Sequence, residues 1–414
     1  MTLSATTRIN MPRYLETLDT SSGIGVGREN GLARLALTDA DRDMRDQFVQ
    51  WCRDAGLTVR VDAVGNIFGR REGREDLPPV MIGSHLDTQA NGGRFDGIVG
   101  VLGALEVVRT LNDLGITTRR PIEIVDWTNE EGSRFSPPMM ASGCFVGAYE
   151  LDWAYARRSD DGPTFGEELE RIGYKGDTPV GQCDVDAYFE LHIEQGDLLG
   201  KANKQVGVVT HGYSSHGVLV EFRGETAHAG PWPMAKRRNA LVAAARMLTE
   251  VDDIGWEFVG TGGKATASRL VAWPNKAGIL SDWAEAIGDV RHESPEAAEA
   301  MRDKMLRGVA QAAAKTGCDY RILDQWQWGG YIFDDAMVGI VRDKVQALGY
   351  STADLPSQAG HDAYFMAQKF PTAMIFTPCR DGITHNNNEL ATAEDIEPGL
   401  NVLLHAVVER ADRA

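Results

Sequence analysis

Histidine and carboxylate residues occur at four places in this sequence, each following a short apolar segment. They are His85, Asp87 and Asp96 after the first segment, Glu130 and Glu131 after the second, His192 after the third and His385 after the fourth. Imidazole and carboxylate together suit zinc, manganese, cobalt or iron rather than calcium. A single histidine or a single Glu-Glu pair is usually structural or solvated, but four such places predict a metal site.

The number of ligand-type residues favours two metal ions. One catalytic metal needs three protein ligands and an open position, whereas a pair needs about five ligands with one carboxylate shared. Five are available in His85, Asp96, Glu131, His192 and His385. Of the two adjacent glutamates, one then binds metal and the other stays free as a base.

Alternating strand and helix patterns must position these residues. The four apolar segments have the composition of short buried strands, and helices are predicted from Thr38 toward Gly56, at 97–111, at 334–348 and at 395–411. In open α/β sheets, ligands collect beyond the carboxyl ends of the strands, so residues far apart in sequence can converge there. The pattern therefore predicts an α/β fold.

A different pattern occupies the middle of the chain. Strands are predicted at 218–222, 265–272, 285–291 and 320–328, with helices near 236–250 and after the N-cap Ser294. The order β-α-β-β-α-β is that of a ferredoxin-like unit. We therefore expect a catalytic α/β domain at 1–210 and 327–414, interrupted by a smaller α+β domain at 211–326.

Composition excludes several classes of protein. The 414 residues contain 42 Lys and Arg against 60 Asp and Glu, a net charge of −18, which argues against a nucleic-acid partner bound through a basic face. No apolar run approaches the ~18–20 residues of a membrane helix. The five cysteines are scattered and odd in number, and the N-terminus lacks the apolar core of a secretory signal. A cytoplasmic location is expected.

Six motifs occur in an order that resembles one known family. They are residues 83–88 (GSHLDT), 92–97 (GGRFDG), 128–132 (TNEEG), 191–196 (LHIEQG), 227–230 (AHAG) and 359–363 (AGHDA). Together, over about residues 30–406, they closely resemble the hydantoinase/carbamoylase family of dinuclear metal amidohydrolases, relatives of the zinc aminopeptidases and carboxypeptidases. The resemblance implies a three-layer zinc-peptidase-like catalytic domain with an inserted ferredoxin-like lid and dimerisation domain.

The resemblance also implies a role for each motif residue. His85 and His192 would bind one metal, Glu131 and His385 would bind the other, and Asp96 would bridge the two. Glu130 would be the general base, Asp87 would orient His85, and His228 would stabilise the oxyanion, often of the partner subunit. The substrate would be contacted by Gln195, Arg291, Gly360 and His361. The two divalent ions would be zinc, manganese, cobalt or nickel, and the protein would be a homodimer.

The activity that the resemblance implies is hydrolysis of the carbamoyl C–N bond of an N-carbamoyl amino acid or a related ureido acid. The alternative is an N-acyl-amino acid amidohydrolase or a dipeptidase on the same metals, although peptidase-type relatives usually carry Asp or Glu in place of His192. A metal-free binding protein is a third possibility, and the complete ligand set argues against it.

Two positions depart from the family pattern. The segment 213–217 (YSSHG) stands where the family has an aromatic residue or Gln followed by Arg-Trp, and Gly278 stands where it has Asn. His216 would then be a weaker substrate donor than arginine, or the pocket would suit a larger or less polar acyl group. Substrate identity therefore stays open.

Overall fold

The computed structural model describes residues 3–181 and 183–413, and the chain divides into two compact units. The smaller unit spans Gly212–Tyr331, and the larger one is formed by the residues before and after it. The second boundary lies beyond residue 326 because the last strand of the smaller unit continues to Gly329. The lid and dimerisation roles expected of this unit stay predictions.

Strands and α-helices alternate along much of the chain and are numbered in chain order. The strands are β1 (Thr58–Val61), β2 (Ile67–Arg71), β3 (Val80–Ser84), β4 (Ile122–Asp126), β5 (Ala187–Ile193), β6 (Val206–Gly212), β7 (Ser214–Arg223), β8 (Lys264–Trp273), β9 (Trp283–His292), β10 (Asp319–Gly329), β11 (Thr352–Ser357) and β12 (Thr372–Thr377). The helices are α1 (Met11–Ser22), α2 (Asp39–Asp54), α3 (Ile98–Asp113), α4 (Met140–Val146), α5 (Leu151–Tyr155), α6 (Phe165–Ile172), α7 (Leu198–Ala202), α8 (Ala240–Phe258), α9 (Pro295–Thr316), α10 (Asp335–Leu348), α11 (Asp362–Met366) and α12 (Ala393–Asp412).

The larger unit is built on one mixed sheet, which confirms the predicted α/β class. Its strand order is β1-β2-β4-β3-β5-β12-β6-β11, and the neighbours β4, β3, β5 and β12 are parallel to one another. The four apolar segments of the sequence are these four strands. Their carboxyl ends therefore lie along the same edge of the sheet, as convergence of the metal-ligand residues requires.

Local sequence signals explain the helices beside the sheet. Thr38 begins α2, and its hydroxyl accepts a hydrogen bond from the Asp41 amide at 3.3 Å. Residues 98–111 of α3 are almost all buried, as expected of a helix that is apolar on every side. The strands β6 and β11 were not predicted, because β6 lies beside the expected domain boundary and β11 contains Pro356.

The smaller unit has the predicted order β-α-β-β-α-β. Its antiparallel sheet has the strand order β10-β7-β9-β8, so β8 and β10 are its two edges. Alternate residues of β7, namely Val218, Val220 and Phe222, pack with α8 and α9 in one apolar core. The helices therefore cover one face of this sheet.

None of the helices within the described ranges has both the length and the apolar character needed to cross a bilayer.

Candidate active site

The ends of the parallel strands bring the five ligand-type residues together. His85 directly follows β3, His192 is the penultimate residue of β5, and Asp96 precedes the first turn of α3. Within β12, Phe376 is in register with His192, so the chain that continues to His385 leaves the sheet beside β5. Parallel pairing of β3, β5 and β12 is thus what assembles the cluster.

Asp96 lies at the centre of the cluster, and its two oxygens face different partners. Oδ1 lies 3.1 Å from Nε2 of His192 and 3.9 Å from Nε2 of His85, whereas Oδ2 lies 3.2 Å from Nε2 of His385. The same His385 nitrogen is 3.2 Å from Oε2 of Glu131. Two groups of three donors therefore share one carboxylate, and each group could hold a metal ion.

The tautomers of two histidines test whether this cluster fits metal ions. Nδ1 of His85 is 2.9 Å from the Asp87 carbonyl and Nδ1 of His192 is 2.9 Å from the Ile193 carbonyl, so each Nδ1 carries the proton. Nε2 of His192 also accepts the Gly97 amide at 3.0 Å. Nε2 of His192 and Oδ1 of Asp96 are 3.1 Å apart, and a cation shared by these two electron-rich atoms would stabilise their approach.

The charges of the cluster also favour a bound cation. Burial alone lowers the pKa of His385, but the carboxylates of Glu131 and Asp96 outweigh it and raise that pKa to about 11. Burial likewise opposes ionisation of Asp96, yet His192 and His385 hold its pKa well below the usual value. Oxygen and nitrogen donors in this mixture match zinc and its neighbours among the transition metals.

A third group of possible donors does not fit a metal. Glu190, His192 and His361 lie within ligand distance of one another. However, the Glu190 carboxylate already accepts hydrogen bonds from the Ser84 hydroxyl, the Tyr188 hydroxyl and the Ala363 amide. We assign Glu190 to the hydrogen-bonded support of the sheet.

Glu130 and Glu131 differ in their surroundings. Glu130 is buried, and its Oε2 lies 3.4 Å from Nε2 of His85. Burial first, and then the charges of Asp362 and Glu131, raise the pKa of Glu130 well above its usual value. Glu131 instead contacts His385 and accepts a hydrogen bond from Nε2 of Gln89 at 2.6 Å. A raised pKa suits a proton acceptor, whereas the His385 contact suits a ligand.

Asp87 contacts His85 through its backbone and the Glu130–Glu131 segment through its side chain. Its backbone carbonyl, not its carboxylate, accepts the His85 proton; the carboxylate is 3.8 Å from that ring nitrogen, too far for a hydrogen bond. The carboxylate oxygens instead accept the amides of Glu130 and Glu131 at 3.2 and 3.3 Å. Asp87 therefore holds the two strand ends together.

Sequence reasoning missed Glu389 and Thr384. Glu389 is buried and accepts the amides of Phe95 and Asp96 at 2.9 and 3.1 Å, while the Thr384 hydroxyl donates to Asp96 at 2.8 Å. The glutamate follows a run of three asparagines, and its only signal was a carboxylate four residues beyond His385. It fixes the Asp96 loop from across the sheet.

Two of the predicted substrate residues contact the metal-ligand cluster itself. Nε2 of Gln195 donates to Asp96 at 2.8 Å. The buried ring of His361 packs edge-to-face on His192 with 4.5 Å between centroids. Gly360 precedes His361 in the loop between β11 and α11. Contact of these three residues with a substrate stays a prediction.

The remaining predicted residues lie in the smaller unit, on different faces of its sheet. His228 is exposed on a loop, and its Nδ1 accepts the Gly230 amide at 3.0 Å. Arg291 pairs in register with Ser215, and His216 pairs with Val290. Because neighbouring residues of a strand face opposite sides, Arg291 lies on the open face and His216 on the helix-covered face. One small ligand cannot contact both side chains, contrary to our expectation.

Gly278, the other unusual position, lies beside the His228 loop. The Ala229 amide donates to the Gly278 carbonyl at 2.9 Å, and His228 forms a β-bridge with Ile279. A side-chain carbon added at Gly278 would meet no atom within 4 Å. The space that an asparagine side chain would fill is therefore open in this protein.

Comparison with known proteins gives a consistent relationship over the whole chain. Residues 81–409 match the model of peptidase family M20/M25/M40. The N-carbamoyl-L-amino-acid amidohydrolase of Rhizobium meliloti is 42% identical, over 98% of this chain and 97% of that protein. The allantoate amidohydrolase of Bacillus subtilis is 30% identical, over 94% of each chain.

A solved structure gives the same relationship in three dimensions. The crystal structure of an amidase of the hydantoinase/carbamoylase family from Burkholderia vietnamiensis superposes with a TM-score of 0.96 at 45% identity, covering 99% of this chain and 100% of that chain. The protein therefore belongs to peptidase family M20/M25/M40 and, within it, to the hydantoinase/carbamoylase amidases, hydrolases that act on C–N bonds other than peptide bonds.

Proposed function

We propose that this enzyme hydrolyses the carbamoyl C–N bond of an N-carbamoyl amino acid or a related ureido acid, with Glu130 as general base. The observation that carries the proposal is the pairing of two donor groups about Asp96, with the buried Glu130 carboxylate beside them. The 42% identity to an N-carbamoyl-L-amino-acid amidohydrolase supports the choice of a ureido substrate.

The five donors divide between two ions in this proposal. His85 and His192 would hold one ion, Glu131 and His385 would hold the other, and Asp96, which lies between the two groups, would serve both. Divalent ions held there would supply Lewis acidity and would lower the pKa of water from 15.7 to about 7. Gln195 and Thr384 hold the Asp96 carboxylate in place by hydrogen bonds.

Glu130 moves the proton. Its carboxylate accepts a proton from the attacking water at Oε2, and then delivers that proton to the leaving nitrogen. For a ureido substrate the products are ammonia, carbon dioxide and the amino acid. The buried setting of Glu130 favours the protonated form and so makes the carboxylate a strong enough base for the first transfer.

Two residues of the smaller unit complete the proposal. Since Nδ1 of His228 accepts a hydrogen bond, the ring proton lies on Nε2, which can donate to the oxyanion of this subunit or of a partner. Arg291 would bind the substrate carboxylate. Its Nε donates to Asp289 at 2.6 Å and its guanidinium lies 4.7 Å from the Trp328 ring centroid, which fixes its orientation.

A substrate panel combined with metal analysis tests this function. Purified enzyme is assayed for release of ammonia and of free amino groups from N-carbamoyl, N-formyl and N-acetyl amino acids, dipeptides, β-ureidopropionate and allantoate. We expect a ureido substrate to be preferred, bound transition metal, and loss of activity on chelation that added metal reverses. A preference for N-acetyl amino acids or dipeptides would favour the alternative reaction, and activity that survives complete metal removal would contradict the mechanism.

A further inference from the structure

A cavity of about 230 Å³ lies in the smaller unit, on the face of its sheet opposite Arg291. It is bounded by β7, by the edge strand β10 and by α9. Its lining includes the polar side chains of His216, Arg302 and Gln327 and the apolar side chains of Val218, Met305 and Leu306. The cavity is therefore amphipathic, and it shares no residue with the cluster around Asp96.

His216 brings a buried polar atom to the lining of this cavity. The residue is only 3% exposed, and its Nε2 has no hydrogen-bond partner among the described residues. Burial first, and then the neighbouring Arg302, lower the pKa of His216. A buried polar atom without a partner is destabilising, and a bound ligand would supply the missing partner.

Arg302 supplies the charge. Its Nε and Nη2 donate to Oδ1 of Asp303, whereas its Nη1 donates to no described residue. Of the described residues that line the cavity, Arg302 alone is charged. The exposed Asp303 neutralises part of that charge, so the cavity suits a single negative charge better than a phosphate.

We propose that this cavity binds a small organic monocarboxylate with a short branched apolar chain. The carboxylate lies between the Arg302 guanidinium and the His216 ring, with the Gln327 amide as a further donor, and the apolar chain lies against Met305 and Leu306. The volume is below the ~300–1,000 Å³ of drug-sized ligand sites, which restricts the ligand to a few carbon atoms. The site is independent of the proposed catalytic function.

The test uses isovalerate as the probe, which has no C–N bond to cleave. Full-length enzyme is labelled with ¹³C on its methionine methyl groups, and isovalerate is titrated while methyl spectra are recorded. We expect a saturable shift of the Met305 resonance, identified with Met305→Leu, and no shift of the exposed Met234 in the same unit. The neutral analogue 3-methylbutan-1-ol should bind with an apparent affinity at least tenfold lower than that of isovalerate.

Variants separate this site from the substrate site. Arg302→Gln should weaken isovalerate binding at least tenfold. His216→Phe replaces the polar imidazole with an apolar ring and should abolish binding. Arg307→Gln removes a charge from the exposed side of the same helix and is the matched control, with unchanged affinity expected. The proposal would be overturned by unchanged affinity in Arg302→Gln, by loss of binding in Arg291→Gln instead, or by the absence of a Met305 shift in the wild-type protein. Thermal unfolding of each variant verifies that it is folded.

Discussion

At the residue scale, the proposed roles of Glu130 as general base and Glu131 as metal ligand give the most direct test of the site. Glu130→Gln keeps a side chain of the same shape beside His85 but cannot accept a proton. We expect metal content and fold to persist, and kcat to fall by ~10²–10⁴-fold, the usual cost of losing a general base. Metal analysis and steady-state kinetics on the same sample check this, and a near wild-type kcat would contradict the assignment.

His228 permits a second test at the same scale. Its Nε2 proton is available because Nδ1 is occupied by the Gly230 amide. His228→Ala should lower kcat by ~10²–10³-fold, as loss of one oxyanion donor does, with full metal content. A change confined to KM would make His228 a residue that binds substrate and transition state equally.

Asp62 gives a pH-dependent prediction that does not involve the metal-ligand residues. Burial raises its pKa to about 7, although its carboxylate accepts hydrogen bonds from the Val64 amide and from the amide and side chain of Asn66. In the unfolded chain the pKa of an aspartate is about 3.9, so between pH 4 and 7 only the folded state holds the proton. Unfolding then releases a proton, and the free energy of unfolding falls as pH rises.

Asp62→Asn removes that proton uptake. Its amide would face the side-chain amide of Asn66, so the variant should be less stable at pH 4. The difference in the free energy of unfolding between wild type and Asp62→Asn should shrink by ~2–4 kcal/mol between pH 4 and pH 7.5, because each pKa unit corresponds to about 1.4 kcal/mol. Denaturant unfolding at both pH values measures it, and a deficit independent of pH would show that Asp62 is ionised throughout.

At the scale of elements, the first turn of α3 couples backbone conformation to the proposed metal site. Gly97 begins this helix with φ +68°, and a Cβ there would lie 2.3 Å from Nε2 of His85. Gly97→Ala should cost ~1–2 kcal/mol for the left-handed backbone. It should also lower metal affinity by ~10–100-fold, by analogy with the loss of ligand-orienting contacts.

Gly115 is the matched control at the other end of the same helix. Its φ is +62°, and a Cβ there would meet nothing within 4 Å. Gly115→Ala should therefore lose similar stability and keep wild-type metal affinity in a competition titration with a chromogenic chelator. Equal losses of affinity in both variants would show that backbone strain, not the His85 contact, governs binding.

The sequence predicted the elements that carry ligands better than the contacts that align them. β3, β4, β5 and β12 were recognisable because each is a short apolar segment with polar residues after it. Glu389 was missed, because its role depends on the loop after β12 crossing to the Asp96 loop, and no local pattern encodes such a crossing. His216 was expected near Arg291, and only the strand register showed that the two face opposite sides.

At the scale of the whole molecule, we propose that the smaller unit makes the protein a homodimer. The strand β8 is an edge over its whole length and exposes apolar residues, with Leu270 43% and Trp273 65% exposed. Such an edge pairs readily with another strand, and a two-fold axis would satisfy both copies. The family resemblance leads to the same expectation.

Leu270→Lys should shift the protein from dimer to monomer, since an edge lysine opposes strand pairing. Met234→Lys places the same charge on an exposed position of the same unit outside β8 and should leave the dimer intact. Light scattering at micromolar concentration reports the mass. A fully active wild-type monomer would contradict both the dimer and any role for His228 in a partner's site.

The arrangement around Asp96 also has a consequence for biosynthesis. His85 comes from the first quarter of the chain and His385 from close to its end, and β12 reaches the sheet only after the smaller unit has been made. Until β12 and the loop after it have been synthesised, a nascent chain can therefore present only part of this set of side chains. Under the proposed function, full metal loading would have to wait for that loop, so the metal content of the purified protein would also report completed folding.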